Sequence, residues 1–241
     1  MQQAMTTEIE RARSVRVFFS HHSVGRNLLD GAESVSARQP GSKLEVLPLE
    51  SAGAHAGPAW FHGSGGQNQQ PKSKVDYFVA TLSEQVDLKP QLAFMKFCYV
   101  DFNPDTDVDA LFSYYEGAIR GLERAHPEIT LAHVTVPLTR HPTELKSRIH
   151  RLLGRSVWED AANVKRQQFN QKLLATFAGA PIFDLARAES TRADGTRDEY
   201  EASGQKYYAL DERFAADEGH LNERGQRELG AELIKFVAKA L

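Results

Sequence analysis

Two short stretches hold the residue types that could do chemistry together. The first is Ser20-His21-His22-Ser23-Val24-Gly25, directly after the apolar residues 15–19, and the second is Asp217-Glu218-Gly219-His220, towards the C-terminus. A serine hydroxyl is a weak nucleophile until a base takes its proton. The second stretch can supply that base: a carboxylate three residues before an imidazole on a turn can fold back to its Nδ1–H, because turn ends approach within about 7 Å. Asp217 on Nδ1 would fix the tautomer of His220 and leave Nε2 free to accept a hydroxyl proton. Plainer readings stand beside this one. Asp217 and His220 could cap the last helix, Ser23 could be the N-cap of the helix after it, and Ser20 competes with Ser23 for the nucleophile's role.

The elements that must hold these residues follow from hydrophobic periodicity. Residues 15–19, 44–49, 92–100, 129–136 and 180–183 are short apolar runs and read as strands. Residues 28–35, 75–82, 107–125, 159–177 and 222–240 carry apolar positions at helical spacing. Strands alternating with helices predict an α/β fold: a three-layer α/β/α sandwich, flavodoxin-like, around a roughly five-stranded parallel sheet with right-handed crossovers. Ligands in such sheets bind beyond the carboxyl ends of the strands. The residues to inspect are therefore 20–23, the glycine-rich loop 50–72, Asp101, residues 137–140 and Asp184. Residues 187–216 read as loop with at most short helices. Residues 1–13 read as a disordered or added lead-in to a single domain spanning 1–241.

Composition narrows the partners. The 241 residues are 41% hydrophobic and 25% charged with a formal charge of -3, which gives no field to draw in nucleic acid. No apolar run approaches the roughly 20 residues of a membrane-spanning helix. The compartment and the oligomeric state stay open. A single cysteine, Cys98, rules out a disulfide within the chain. His21, His22, His55, His62 and His220 do not read as a metal centre, because adjacent histidines cannot easily share one tetrahedral site and no helical His-x-x-x-His spacing occurs.

Taken in chain order, these residues resemble the SGNH or GDSL hydrolases over nearly the whole sequence. The resemblance rests on Ser23 just after the first strand, on Gly66-Gln67-Asn68 in the loop after the second, and on Asp217-x-x-His220 leading into the last helix as DEGHLNERG. The last block is the most specific. The resemblance implies that Ser23 is the nucleophile, His220 the base and Asp217 its orienting acid. It also implies an oxyanion site built from the N–H groups of Ser23 and Gly66 and from an asparagine amide. That asparagine is missing from its usual place, since Cys98-Tyr99-Val100-Asp101 puts Val100 there, and Asn68 or Asn103 is the nearest substitute. His21-His22 replaces the usual glycine and aspartate. Asp184 could serve as the acid in a Ser, Asp, His order, but no Gly-x-Ser-x-Gly elbow accompanies it.

The function expected from this resemblance is a serine esterase working through an acyl-serine on an acylated saccharide or other small ester, without metal or organic cofactor. Lysophospholipase or acyltransferase activity on the same triad, or a binding module with weakened chemistry, are the alternatives. His22, Asp101 and Trp60 are expected to line the substrate site, although Asp101 could equally hold backbone N–H groups and Trp60 could pack its loop. The basic run 146–155 reads as a solvated helix face or a means of steering an anionic substrate.

Overall fold

The computed structural model describes residues 2–153, 157–192, 194–202 and 204–241. In chain order the elements are α1 (Gln2–Arg13), β1 (Val17–Ser20), α2 (Val24–Ala37), β2 (Val46–Pro48), β3 (Trp60–Gly63), α3 (Pro71–Glu84), β4 (Leu92–Met95) and α4 (Val108–Ala125). Then follow β5 (Thr130–Val134), α5 (Leu145–Leu152), α6 (Trp158–Thr176), β6 (Ile182–Phe183), α7 (Leu185–Ser190), β7 (Glu199–Ala202), β8 (Gln205–Tyr208) and α8 (Glu223–Lys239).

Six strands form one sheet in the order β2-β3-β1-β4-β5-β6, every pair parallel. The expected α/β/α sandwich is present with one strand more than anticipated. The extra strand is β3, four residues inside the 50–72 loop, and it lies between β1 and β2. With β2 set aside as an edge, β3-β1-β4-β5-β6 is the 2-1-3-4-5 order of doubly wound sheets. Its switch point falls between β1 and β4, so the crevice beyond their carboxyl ends is where a ligand site belongs.

Side chains of a strand alternate between faces, and here both faces are covered. Val17 and Phe19 of β1 with Leu92 and Phe94 of β4 pack towards residues of α1, α2 and α8. Phe18, Ala93 and Met95 pack on the other side with residues of α3, α4 and α6. The apolar run 92–100 yields a strand only to Met95, because Lys96 interrupts it and residues 99–101 close into a 3-10 turn. Two further expectations are corrected. Where a disordered or added lead-in was expected, residues 2–13 form α1, which sets Ile9 and Ala12 into the core. The loop 187–216 contains the antiparallel hairpin β7–β8, turned at Gly204, which lies at φ +74°.

The α2–α8 contact matters most for the site. A Cβ on Gly31 would fall 1.8 Å from the Gln226 carbonyl oxygen, and one on Gly230 would fall 2.4 Å from the Ala32 nitrogen. Without side chains at these two positions the helices nearly touch. Their N-termini, which follow Ser23 and His220, are thereby held side by side.

Candidate active site

Ser23 sits at the N-cap position of α2 with φ 36° and ψ −94°, a conformation rare for a residue with a Cβ. Such strain costs of order 1–3 kcal/mol and persists only where the surroundings impose it. The carbonyl of Ser23 accepts from Arg26 N at 2.8 Å and Asn27 N at 3.3 Å. Its side chain makes no capping bond, so Oγ is not spent on the helix. Oγ lies instead 3.8 Å from Sγ of Cys98, just after β4, a weak contact that leaves the hydroxyl available. Ser20 is buried in β1 in register with Gly63 and Met95. Of the two serines, Ser23 is the exposed one.

Asp217 and His220 form the pair that their spacing suggested. Oδ2 lies 2.7 Å from His220 Nδ1, while Oδ1 accepts from Gly219 N at 2.9 Å and His220 N at 2.8 Å. Partial desolvation works to raise the Asp217 pKa, but the two donated N–H groups and the imidazole outweigh it and hold the carboxyl at about 2. With Nδ1 so engaged, Nε2 of His220 has no partner among the described residues. The turn is fixed to α2 by Leu221 N donating to Asn27 Oδ1 at 3.2 Å, and to α8 by Asn222 capping Gly225 N at 2.9 Å.

The turn after β4 supplies residues that the sequence pattern missed. The Tyr99 hydroxyl lies 3.5 Å from His220 Nδ1, and the two rings stand edge to face, 5.6 Å between centroids. Burial and the nearby Asp217 carboxylate push the Tyr99 phenol up, so it stays protonated beside the imidazole. Arg166 fixes this turn from below by donating Nε–H to the Tyr99 carbonyl at 3.0 Å. Lys96 is 1% exposed, with Nζ 3.0 Å from the Phe97 carbonyl and 3.9 Å from Cys98 Sγ; burial lowers its pKa. A lone lysine inside the run LAFMKFCYV was the available signal.

On the opposite flank of Ser23 stands the loop 64–70. His22 Nε2 is 2.8 Å from the Gly65 carbonyl, which joins the β1 turn to this loop. Gly66 has φ +75°, and a Cβ there would lie 2.6 Å from Lys74 N, so only glycine fits. Neither Ser23 N nor Gly66 N finds an acceptor among the described residues. Asn68 Oδ1 accepts from Lys74 Nζ at 2.9 Å, which orients the amide and leaves Nδ2 as a donor. Asn103 spends its Oδ1 on Asp105 N at 2.8 Å within its own turn. Val100 is partly buried and its side chain offers no donor.

Two residues expected to line a substrate are buried. Asp101 is 4% exposed and accepts from Lys74 Nζ at 2.6 Å, Cys98 N at 2.7 Å and Gln69 N at 2.9 Å. It pins the 64–70 loop to the turn after β4. Trp60 is 1% exposed at the opposite end of β3, with Nε1 donating to the Ala12 carbonyl at 2.8 Å. Its indole packs in the core because β3 turned the expected loop into sheet. Asp184 accepts from Thr135 Oγ1 at 3.1 Å and caps α7, away from His220.

No protein-family model matches the chain, and no curated protein matches it by sequence. Solved structures do. The periplasmic domain of a lipopolysaccharide acetyltransferase from Salmonella ser. Paratyphi A aligns with TM-score 0.51 and 12% identity, over 90% of this chain and 81% of that one. A proposed lipolytic protein of the G-D-S-L family from Desulfitobacterium hafniense DCB-2 aligns with TM-score 0.48 and 9% identity, over 92% and 99% of the two chains. A proposed platelet activating factor from Streptococcus pneumonia aligns with TM-score 0.46 and 14% identity, over 98% and 92%. At 9–14% identity the likeness to these structures is one of fold alone.

Proposed function

We propose that the chain is a single-domain serine esterase acting through an acyl-serine intermediate. The observation that carries this reading is Ser23: a strained residue at a helix N-cap whose hydroxyl does not cap, at the switch point of the sheet, on a helix tied to the Asp217–His220 turn. In this reading His220 Nε2 takes the proton as Ser23 Oγ attacks the ester carbonyl, and Asp217 stabilises the imidazolium. The oxyanion is met by the N–H groups of Ser23 and Gly66 and by Asn68 Nδ2. Collapse expels the alcohol, which receives the proton from His220. Water, activated by the same imidazole, then releases the acid.

The substrate class is a small or saccharide-borne ester. Ser23 is exposed and the Asp217 side chain is 56% exposed, so an acyl-serine here would be open to water, which favours hydrolysis over transfer. Product analysis with a sugar alcohol as competing acceptor separates the two. The test of the assignment is hydrolysis of p-nitrophenyl esters and acetylated sugars by two variants. Ser23→Ala is expected to lose kcat by about 10⁴-fold or more while Ser20→Ala keeps most of it. The reverse result moves the nucleophile to Ser20 and ends this reading.

A further inference from the structure

Nine large hydrophobic residues are exposed among the described ones, and five of them, Leu145, Ile149, Leu152, Leu153 and Trp158, fall within 145–158. Scattered single exposures are ordinary on a folded surface, whereas a concentration marks an interaction site. Leu145, Ile149 and Leu152 are spaced four and three apart on α5, which places them in one stripe; Leu145 is 71% and Leu152 86% exposed. Ser147, on the other face, lines a cavity of about 210 Å³ together with Arg140 and Glu218. The helix therefore sits with its polar side on the body and its apolar stripe in solvent.

Two further facts say what covers the stripe and why it lies there. Residues 140–155 hold five Lys and Arg against one acid, in a chain whose formal charge is -3. The same segment begins at Arg140, whose N–H donates to the Glu218 carbonyl at 2.8 Å, one residue from Asp217 and two from His220. An apolar stripe on a basic segment is the composition of a helix lying in the interface of an anionic bilayer. Pairing with a second copy would bring two positive segments together, which the charge opposes.

We propose that α5 and Trp158 dock the protein on an anionic lipid surface and present the Ser23–His220 site to esters held there. This rests on the esterase reading for what is hydrolysed, and on the surface alone for where the protein binds. The full chain is mixed with phosphatidylcholine vesicles with and without phosphatidylglycerol, and sedimentation gives the partition coefficient. Trp158 is 57% exposed and the other tryptophan, Trp60, is 1% exposed, so a blue shift of intrinsic fluorescence on binding reports Trp158.

Binding is expected only with phosphatidylglycerol and is expected to weaken with salt. Lys146→Glu should lower it roughly tenfold, and Ile149→Asp combined with Leu152→Asp should lower it about tenfold or more. These variants should keep parental activity on a soluble short-chain ester, but hydrolyse an ester embedded in anionic vesicles more slowly in proportion to lost binding. Ser23→Ala should bind vesicles like the parent, so loss of the esterase assignment and loss of docking are read separately. Equal binding by parent and variants, or indifference to phosphatidylglycerol, overturns the proposal. So does a dimer that the double variant turns into monomer, since the stripe would then be covered by a second copy.

Discussion

The two loops flanking Ser23 are held by opposite means. The 64–70 loop is fastened from inside: Lys74 and Asp101 pair with both side chains out of water, Gly66 occupies a backbone conformation closed to other residues, and His22 ties the loop to the serine turn. The 214–222 loop is fastened from outside, by a half-exposed Asp217 that gathers two backbone N–H groups and an imidazole. For an esterase the closed flank would present fixed donors to a developing oxyanion, where preorganisation counts most. The open flank carries a base that must exchange protons with water. The contrast suggests that the first flank is sensitive to packing and the second to chemistry.

The largest effect on stability should come from the closed side. Asp101→Ala leaves the Lys74 ammonium buried without its carboxylate, and removing one partner of a buried pair costs about 3–5 kcal/mol. Denaturant unfolding should show a loss of that size; a change near zero would mean that water reaches Lys74 and that the flank is not closed. Next in size, Asn68→Ala should lower kcat by about 10²-fold or more if its Nδ2 meets the oxyanion, with a smaller unfolding loss of about 1–3 kcal/mol because Lys74 Nζ loses an acceptor. Asn103→Ala serves as the control, and equal effects of the two would move the donor elsewhere.

Acid should distinguish the flanks as well. His21 lies buried under the serine turn beside Lys96 and His62, and burial followed by these positive neighbours holds its pKa at about 2. The unfolded chain takes up this proton near pH 6.5, so it binds more protons than the folded chain between there and pH 2. Stability contributed by neutral His21 is thus present above pH 6.5 and lost as the pH falls through that window. His21→Gln should flatten the decline of the unfolding midpoint between pH 6.5 and 4. Asp217, with its pKa also at about 2 but a half-exposed side chain, contributes stability above its unfolded value near 3.8 and loses it only below. Asp217→Asn should therefore shift stability at neutral pH by no more than about 1 kcal/mol. A larger shift would make the open flank structural.

Much of this was legible before the fold was known, for reasons that can be given residue by residue. The alternation of strands and helices showed in the periodicity of residues 107–125 and 222–240, where capping by Asp107 and Asn222 coincides with the onset of the apolar pattern. The Asp217–His220 contact showed because it is local, three residues apart on a turn. β3 did not show, because four residues between glycines and a proline carry too little pattern, and Trp60 was misplaced with it. Lys74, Tyr99 and Arg166 did not show, since each acquires its part only through contacts 27, 121 and 67 residues away along the chain. Sequence alone could locate the turn that bears Ser23; the buried supports beneath it needed the fold.

The most direct measurement is covalent labelling with a fluorophosphonate, followed by mass spectrometry of the intact chain and of its peptides. A single adduct is expected, on Ser23, that disappears in Ser23→Ala and forms much more slowly in His220→Ala. An unlabelled but folded protein, or an adduct on Ser20 or Tyr99 instead, would contradict the assignment of Ser23 as nucleophile.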